Sequence, residues 1–361
     1  FQYYGTYDNA YKSPESGAGI YPMKSGEQGD HIGAFVQYDT KAGEQVLVKV
    51  AVSYVSLDGA RKNLAAEMPD WNFDQIHRQA RQQWAQVLEK MQVEGKSDAD
   101  KVKFYTSVYR TILSQYIFQD VDGKYYGMDN GIHEANDFNL YCSLLSWDTF
   151  RSMHPLLPLL APDQVDDVLK SVEAKIRECG WVPGLHGYNR LSAGMIGDHI
   201  VPIVVDAYLK GFRGFDAEFV YQAMKKKATS DPQPPVPMNV GREGLNEYMN
   251  LGYIACDKDR ESVSTTLEFA YDDWCLAQFA KALGKTGDFA YFMKRAHNYV
   301  NLWDEQTRFM RPRLANGQFL PLAKDTSDCL KTTKNGEHSY YSYFDPLVIG
   351  RAPNRHFTES N

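Results

Sequence analysis

The sequence predicts a small antiparallel β region followed by a helical domain of the α/α-toroid type, and three observations carry that prediction. Residues before about 66 alternate with a period of two, whereas those after it follow a helical period. At least six helical segments are separated by long loops rich in aromatic residues and glycine, unlike a tight bundle with connections of ~2 to 8 residues. No fixed repeat length is found, which argues against the competing helical repeat array.

Taken in order, Tyr3 to Asp30 carries the Gly, Ser, Pro and Tyr content of loops and short strands, and Ile32 to Tyr38 reads as a strand. Val46, Val48, Val50, Val52 and Tyr54 share one side at spacing two, the pattern of a half-buried strand. Ile76, Ala80, Trp84, Val87, Leu88 and Met91 then form one helical stripe, and Tyr105, Val108, Tyr109 and Ile112 a second. Val165, Val168, Leu169, Val172 and Ile176 form a third, with Gly180 as its stop. A short helix runs over 200–211 and ends at Gly211. Val263, Leu267, Ala270, Tyr271, Trp274 and Ala277 make a longer stripe, and Phe289, Phe292, Ala296, Tyr299, Val300 and Trp303 make the last.

The 361 residues, 43% hydrophobic and 13% aromatic, exclude a disordered chain and leave room for a large core. The net charge of −7, with no Lys/Arg run longer than Lys225 to Lys227, excludes a nucleic-acid partner, which needs a concentrated positive face. The longest apolar stretch, around Pro155 to Pro162, falls far short of the ~20 residues of a membrane span. Five scattered cysteines have neither CxxC nor Cys/His spacing, so no zinc site or disulfide framework is argued. The first residue is Phe1 and the last run, Phe357 to Asn361, reads as an unfinished element, so the chain is expected to be an interior piece of a longer protein.

Five clusters combine carboxylates, Trp and Gly: residues 146–151, Cys179 to Pro183 with Asn189, residues 194–199, Asp257 to Ser264 running into Glu268, Asp272, Asp273 and Trp274, and residues 357–361. Trp faces stack on sugar C–H surfaces, while carboxylates and Arg bind hydroxyls, so this vocabulary suits carbohydrate recognition. Each cluster has a structural alternative. Trp147 and Trp274 also fit a core. Asp148 with Arg151 fits an i, i+3 pair, and Asp198 with His199 fits a helix cap. Thr265 to Glu268 matches a capping box, which makes Glu268 structural. Glu261 stands apart: it lies before the helix, off the apolar stripe, among Asp257, Lys258, Asp259 and Arg260, which could either solvate or tune it.

Together, and in this order, the stretches SWDTFRSMHPLL (146–157), GWVP (180–183), MIGDHIVPIVVDAYLKGFRGFD (195–216), ESVSTTLEFAYDDWCLAQFAKALGK (261–285), NYVNLWDEQTRFMRPR (298–313) and FTESN (357–361) resemble glycoside hydrolase family 92, the calcium-dependent exo-acting α-mannosidases. SYVSLDGARKNLAAEMPDWNFD (53–74) resembles that family's domain junction. The resemblance implies a partial β-sandwich over 1–66, a linker helix region over 67–100 and a truncated (α/α)6 barrel over 101–361. It further implies removal of terminal α-linked mannose from N-glycans or mannan with inversion, Ca²⁺ as cofactor, and a secreted, periplasmic or cell-surface location.

Inversion needs a carboxylic acid to protonate the leaving oxygen and a second carboxylate to activate water. Carried over by motif, Glu261 matches the family's general acid, which needs a pKa raised by burial or a neighbouring carboxylate. The family's base lies in a Gly-Asn-Asp-Asp segment that has no counterpart here and is expected beyond residue 361. Asp148 and Arg151 match a segment lining the mannose pocket, and Trp147, Trp181, Asp198 and His199 follow as further sugar contacts. Glu359 matches a substrate-binding position and Asn361 a Ca²⁺ ligand, in keeping with the preference of calcium for oxygen. The chain departs from the family at HGYNRLSAG (186–194), where Asn189 or Ser192 could substitute, and over the long stretch from Pro312 to Arg355. Two alternatives stand beside this reading: a glycan-binding or structural protein on the same fold, and another α/α-toroid enzyme such as a lyase or phosphorylase. A lyase would call for a basic cleft that a chain of charge −7 does not display.

Overall fold

The computed structural model describes residues 3–8, 20–22, 32–95, 97–113, 115–142, 145–184, 195–259 and 261–321. The expected contacts Glu359, Asn361, Asn189 and Ser192 lie outside the described residues. The chain divides into two compact units, Phe1–Val50 and Ala51–Asn361.

In the first unit, β1 (Tyr3–Asp8) is the centre of an antiparallel sheet with β2 (Ile20–Pro22) on one side and β3 (Ile32–Gln37) on the other. Gly5 lies opposite both Pro22 and Phe35 in the two ladders. The strand expected at 32–38 is therefore present. That expected at 46–54 is not: this stretch is irregular, and Val48, Val50 and Val52 are 71%, 70% and 66% exposed. Alternation marks a surface fit for a sheet, but a strand also needs a neighbour to share backbone hydrogen bonds. No described residue supplies that ladder.

The second unit is helical from the outset, so the change of period falls nearer 57 than 66. It opens with α1 (Leu57–Glu67), α2 (Phe73–Leu88) and α3 (Asp98–Leu113). Ser56 and Asn72 each accept a first-turn backbone N–H at the heads of α1 and α2. A hairpin of β4 (Lys124–Tyr126) and β5 (Ile132–Glu134) precedes α4 (Ser146–Thr149), α5 (Met153–Leu160) and α6 (Pro162–Cys179). Both ends of α6 follow from sequence: Pro162 occupies its first turn, and Gly180 closes it at φ 70°, a left-handed conformation that spares glycine the Cβ clash. Next come α7 (Ile200–Leu209), α8 (Ala217–Thr229), α9 (Leu245–Leu251), α10 (Ser262–Ala282) and α11 (Thr286–Ala296), then a hairpin of β6 (Trp303–Asp304) and β7 (Phe309–Met310). The stripe drawn to Trp303 stops at Ala296. The chain tightens to a 3-10 turn over Asn298–Leu302, which carries Leu302 inward and leaves Tyr299 and Val300 exposed.

The core lies among α6, α7, α8, α10 and α11. Val168, Leu169, Val172 and Ile176 meet Val201, Val204 and Val205, then Val220, Tyr221 and Met224, then Leu276, Phe279 and Phe292. Helix α10 packs against α7, α8 and α11, and 15 of its 21 residues are buried, so only a narrow stripe through Tyr271 and Trp274 meets solvent. The stripe read for it is misaligned: Tyr271 and Trp274 are 42% and 45% exposed, while Glu268, Asp272 and Asp273 are inside. The core role expected for Trp274 is thus overturned. No helix among the described residues is long and apolar enough to cross a membrane, and the four described cysteines are free thiols.

Candidate functional site

The polar heart of the second unit is built on the spacing of three carboxylates in α10. Glu268 and Asp272, four residues apart, share one face, and Asp273 is turned ~100° away. Each direction meets a different set of cations. His199, just before α7, bridges the first pair: its Nε2 is 3.1 Å from Glu268 Oε2 and its Nδ1 is 3.2 Å from Asp272 Oδ1. The Asp198 N–H donates to Asp272 Oδ2 at 2.7 Å, and the Phe150 ring stacks on the imidazole with centroids 4.1 Å apart. Gly197, at φ 84°, gives the loop its turn; a Cβ there would fall on the His199 ring.

Asp273 takes the other side. It accepts from Arg242 Nη1 at 2.8 Å, Arg295 Nε at 2.7 Å and the Tyr248 hydroxyl at 3.0 Å. Asp198 faces Lys227 Nζ at 3.0 Å and Arg242 Nε at 3.5 Å. Leaving any of these charges unpaired in so buried a place would cost several kcal/mol, so the cluster stands or falls together. Burial opposes a charged His199, but Asp272 and Glu268 together push its pKa up to about 9. Burial likewise opposes ionisation of Asp198, and Lys227 and Arg242 overcome it, holding the carboxyl below its ordinary value.

Glu268 also reaches outward. Its Oε1 lies 3.2 Å from Nη2 of Arg151, whose side chain is 31% exposed. The Arg151 guanidinium sits over Trp147 at 5.3 Å and Phe150 at 4.6 Å. Arg151 is therefore the link between the buried cluster and the surface.

The expected site residues divide accordingly. Arg151, Asp198 and His199 come together through Glu268 and Asp272. Trp147 is half-buried beside Arg151, and Asp148 is exposed on the same turn. Arg151 turns to Glu268 rather than making the i, i+3 pair with Asp148. Asp198 and His199 do not cap α7 through their side chains, because ion pairs claim them. Trp181 is 2% exposed and donates from its indole N–H to Val240 O at 3.2 Å, so it is a core residue and offers no face to a sugar. The capping box at Thr265–Glu268 also fails: the helix starts three residues earlier, and the Thr265 N–H bonds to Glu261 O at 2.8 Å.

Glu261 caps α10 in the left-handed conformation, φ 52° and ψ 28°, rare for a residue with a side chain. It is exposed. Sequence reasoning missed Lys227, Arg242, Arg295, Asp272 and Asp273 as partners. The available signal was three acids inside an otherwise apolar helix, which must find cations if the helix is buried.

Among the described residues there is no group of three or more Asp, Glu, His or Cys that could hold a metal ion, and Glu268, Asp272, Asp198 and Asp273 each face a cation or His199.

Residues 59–352 match the family model described as the glycosyl hydrolase family 92 catalytic domain. An uncharacterized secreted glycosidase of Arthroderma benhamiae (strain ATCC MYA-4681 / CBS 112371) is 26% identical over 344 residues, 86% of this chain and 39% of the relative. A family GH92 alpha-mannosidase from Bacteroides thetaiotaomicron is similar in structure, with a TM-score of 0.73, 33% identity, and coverage of 89% of this chain and 42% of that one. A family GH92 inverting mannosidase from Bacteroides thetaiotaomicron VPI-5482 gives a TM-score of 0.77, 30% identity, and coverage of 88% and 42%. The chain thus spans about two fifths of the length of these relatives.

Proposed function

Since this chain belongs to glycosyl hydrolase family 92, we propose that it is part of an exo-acting α-mannosidase that removes terminal α-linked mannose from N-glycans or mannan with inversion. Glu261 is the general acid in this proposal, protonating the departing glycosidic oxygen. Arg151, Asp148 and Trp147 bind the sugar, and Asp198 and His199 support them from inside. The observation that supports the reading most is the setting of Glu261: a strained, exposed residue at the head of the buried helix α10, which carries Glu268, the partner of Arg151.

An acid that is exposed without ligand acquires its raised pKa when the sugar covers it and excludes water. The base must be a second carboxylate, typically ~6.5 to 9.5 Å from the acid across the sugar. Asp198, Glu268, Asp272 and Asp273 do not qualify, since all are buried behind cations and cannot activate a water on the open face. In this proposal the base lies beyond residue 361, Asn361 is among the Ca²⁺ ligands and Glu359 is a further sugar contact. When bound, the cation would polarise vicinal sugar hydroxyls. A secreted, periplasmic or cell-surface location fits such a substrate.

The test is Glu261→Gln in the full-length protein. Cleavage of unactivated mannosides should fall by about 10²- to 10⁴-fold, the usual worth of a general acid, with substrates bearing good leaving groups largely spared. Equal loss on both would remove Glu261 from the acid role. Excess chelator should abolish activity and added Ca²⁺ restore it; undiminished turnover in chelator would remove the cation.

A further inference from the structure

We infer that the recess between α6 and the turn before α8 is a second glycan site, which holds an inner stretch of a neutral mannan chain while its terminal mannose is cleaved. The inference rests on the reading of the chain as part of an α-mannosidase for the identity of the sugar, and it extends that reading to residues the cleavage does not use.

The recess has a volume of about 460 Å³, within the ~300 to 1,000 Å³ of small-ligand sites. Lys170, Glu173 and Arg177 of α6 form one wall; Asp137, Phe138 and residues 213–216 complete it. The Gly214 N–H donates to Asp166 Oδ1 at 2.9 Å, and the Asp216 N–H donates to Glu173 Oε2 at 2.7 Å. Glycine is needed for that approach, since a Cβ on residue 214 would lie 2.6 Å from the Asp166 carboxyl carbon. The 213–216 turn is thus fastened to α6 and the recess is formed in advance, which lowers the ordering cost of binding.

The lining selects a neutral polyhydroxyl ligand. Lys170, Arg177 and Arg213 are matched by Asp137, Glu173 and Asp216, so an anion finds no net positive field. Asp137 pairs with Lys170 at 2.7 Å, and Glu173 and Asp216 pair with Arg177 at 2.8 and 3.1 Å. Donors are left over. Arg213 gives Nη1 to the carbonyls of Tyr208 and Phe212, while its Nε and Nη2 bond to no described residue. Sugar hydroxyls can accept from these N–H groups and donate to the second lone pairs of the paired carboxylates. Phe138 and Phe215 supply apolar surface of the kind that packs on the C–H faces of a pyranose. The recess begins past the C-terminal end of α7, ~15 Å along that helix from the end where His199 and its carboxylates lie. A polymer can reach that far, and a monosaccharide glycoside held for cleavage cannot.

The experiment compares unphosphorylated mannan with a small aryl α-mannoside as substrates of the full-length protein. Arg213→Ala should raise KM for mannan by roughly tenfold, the worth of one hydrogen bond to a charged group. Phe215→Ala should act in the same direction, and neither should alter kcat/KM on the aryl mannoside. Equal loss on both substrates marks a structural role and overturns the inference, as does an unchanged KM for mannan in both variants. Native gels containing mannan, run in a Glu261→Gln background so that the polymer is not consumed, read binding without turnover. Retardation should weaken in both variants. Retardation by dextran sulfate and not by mannan would assign the recess to anions and overturn the inference. A parent protein that cleaves neither substrate would show that the mannosidase reading has failed. Mannan retardation lost in Arg213→Ala would then still uphold the recess as a glycan site, and no retardation would overturn it. Melting curves verify folding, and the exposed Arg213 carries the test should Phe215→Ala not fold.

Discussion

Replacing His199 by Gln should change how stability depends on alkaline pH, by an amount that follows from its two carboxylate neighbours. Glu268 and Asp272 push the buried imidazole up to about 9, against ~6.5 in an unfolded chain. The folded-state pKa lies above the unfolded one, so the stabilisation is fully present below pH ~6.5 and is lost as pH rises through about 9. At 1.36 kcal/mol per pH unit, that window is worth about 3 kcal/mol. A cooperative unit of about 300 residues unfolds with an entropy near 0.6 kcal/mol/K, so the loss appears as a fall in Tm of about 5 °C. His199→Gln should be less stable than the parent at neutral pH by about 3 to 5 kcal/mol, because two buried carboxylates lose their shared cation. The gap should then narrow by about 3 kcal/mol between pH 6.5 and 10. Scanning calorimetry of both proteins across that range measures the gap directly. Lys175, which burial pushes down to about 8, titrates in the same window with the opposite sign, but it is common to both proteins and cancels in the difference. A gap that stays constant with pH would refute the buried imidazolium.

His154 should show the mirror image on the acid side. It is buried, its Nε2 has no hydrogen-bond partner, and burial pushes its pKa down to about 4. Its neutral form stabilises the fold above pH ~6.5, and that contribution, about 3 kcal/mol, is lost as pH falls toward 4. His154→Leu should flatten the decline in Tm over this range, and an unaltered acid profile would count against the assignment. Gly59→Ala should destabilise by about 2 kcal/mol in denaturant titration, because the added methyl would fall on Asp120 Oδ2 and within 2.7 Å of Ser53 Oγ. Asp120 has little room to yield, being held by Ser53 and by Asn63, each at 2.8 Å. A midpoint unchanged by the extra methyl would show that this network is looser than its distances imply.

The parts of the fold that were legible in sequence are those set by local chemistry. Pro162 and Gly180 mark the ends of α6, and the valines between them give its buried face, because backbone geometry and a 3.6-residue period act within the helix itself. β3 was legible for the same kind of reason. Val46 to Tyr54 carries an equally clean alternation and yet forms no strand. Its pattern states which face would be buried, but the ladder depends on a second segment that no local rule supplies.

The candidate site was harder to read, because the assumption behind helical stripes fails for α10. A stripe locates the core only if the opposite face meets water. In α10 the exposed stripe carries Tyr271 and Trp274 while the acids lie inside, so the polar residues are distributed by their ion-pair partners instead of by solvent. Those partners are remote: Arg151 is 117 residues from Glu268, and Asp198 is 74 from Asp272. Glu268 was therefore assigned to a local cap with Thr265, the only partner that short-range spacing could offer. The same remoteness gives the cluster its use. Pairing across such separations ties the turn before α5, the loop before α7 and the middle of α10 into one unit, and a sugar held by Arg151 would report on all three.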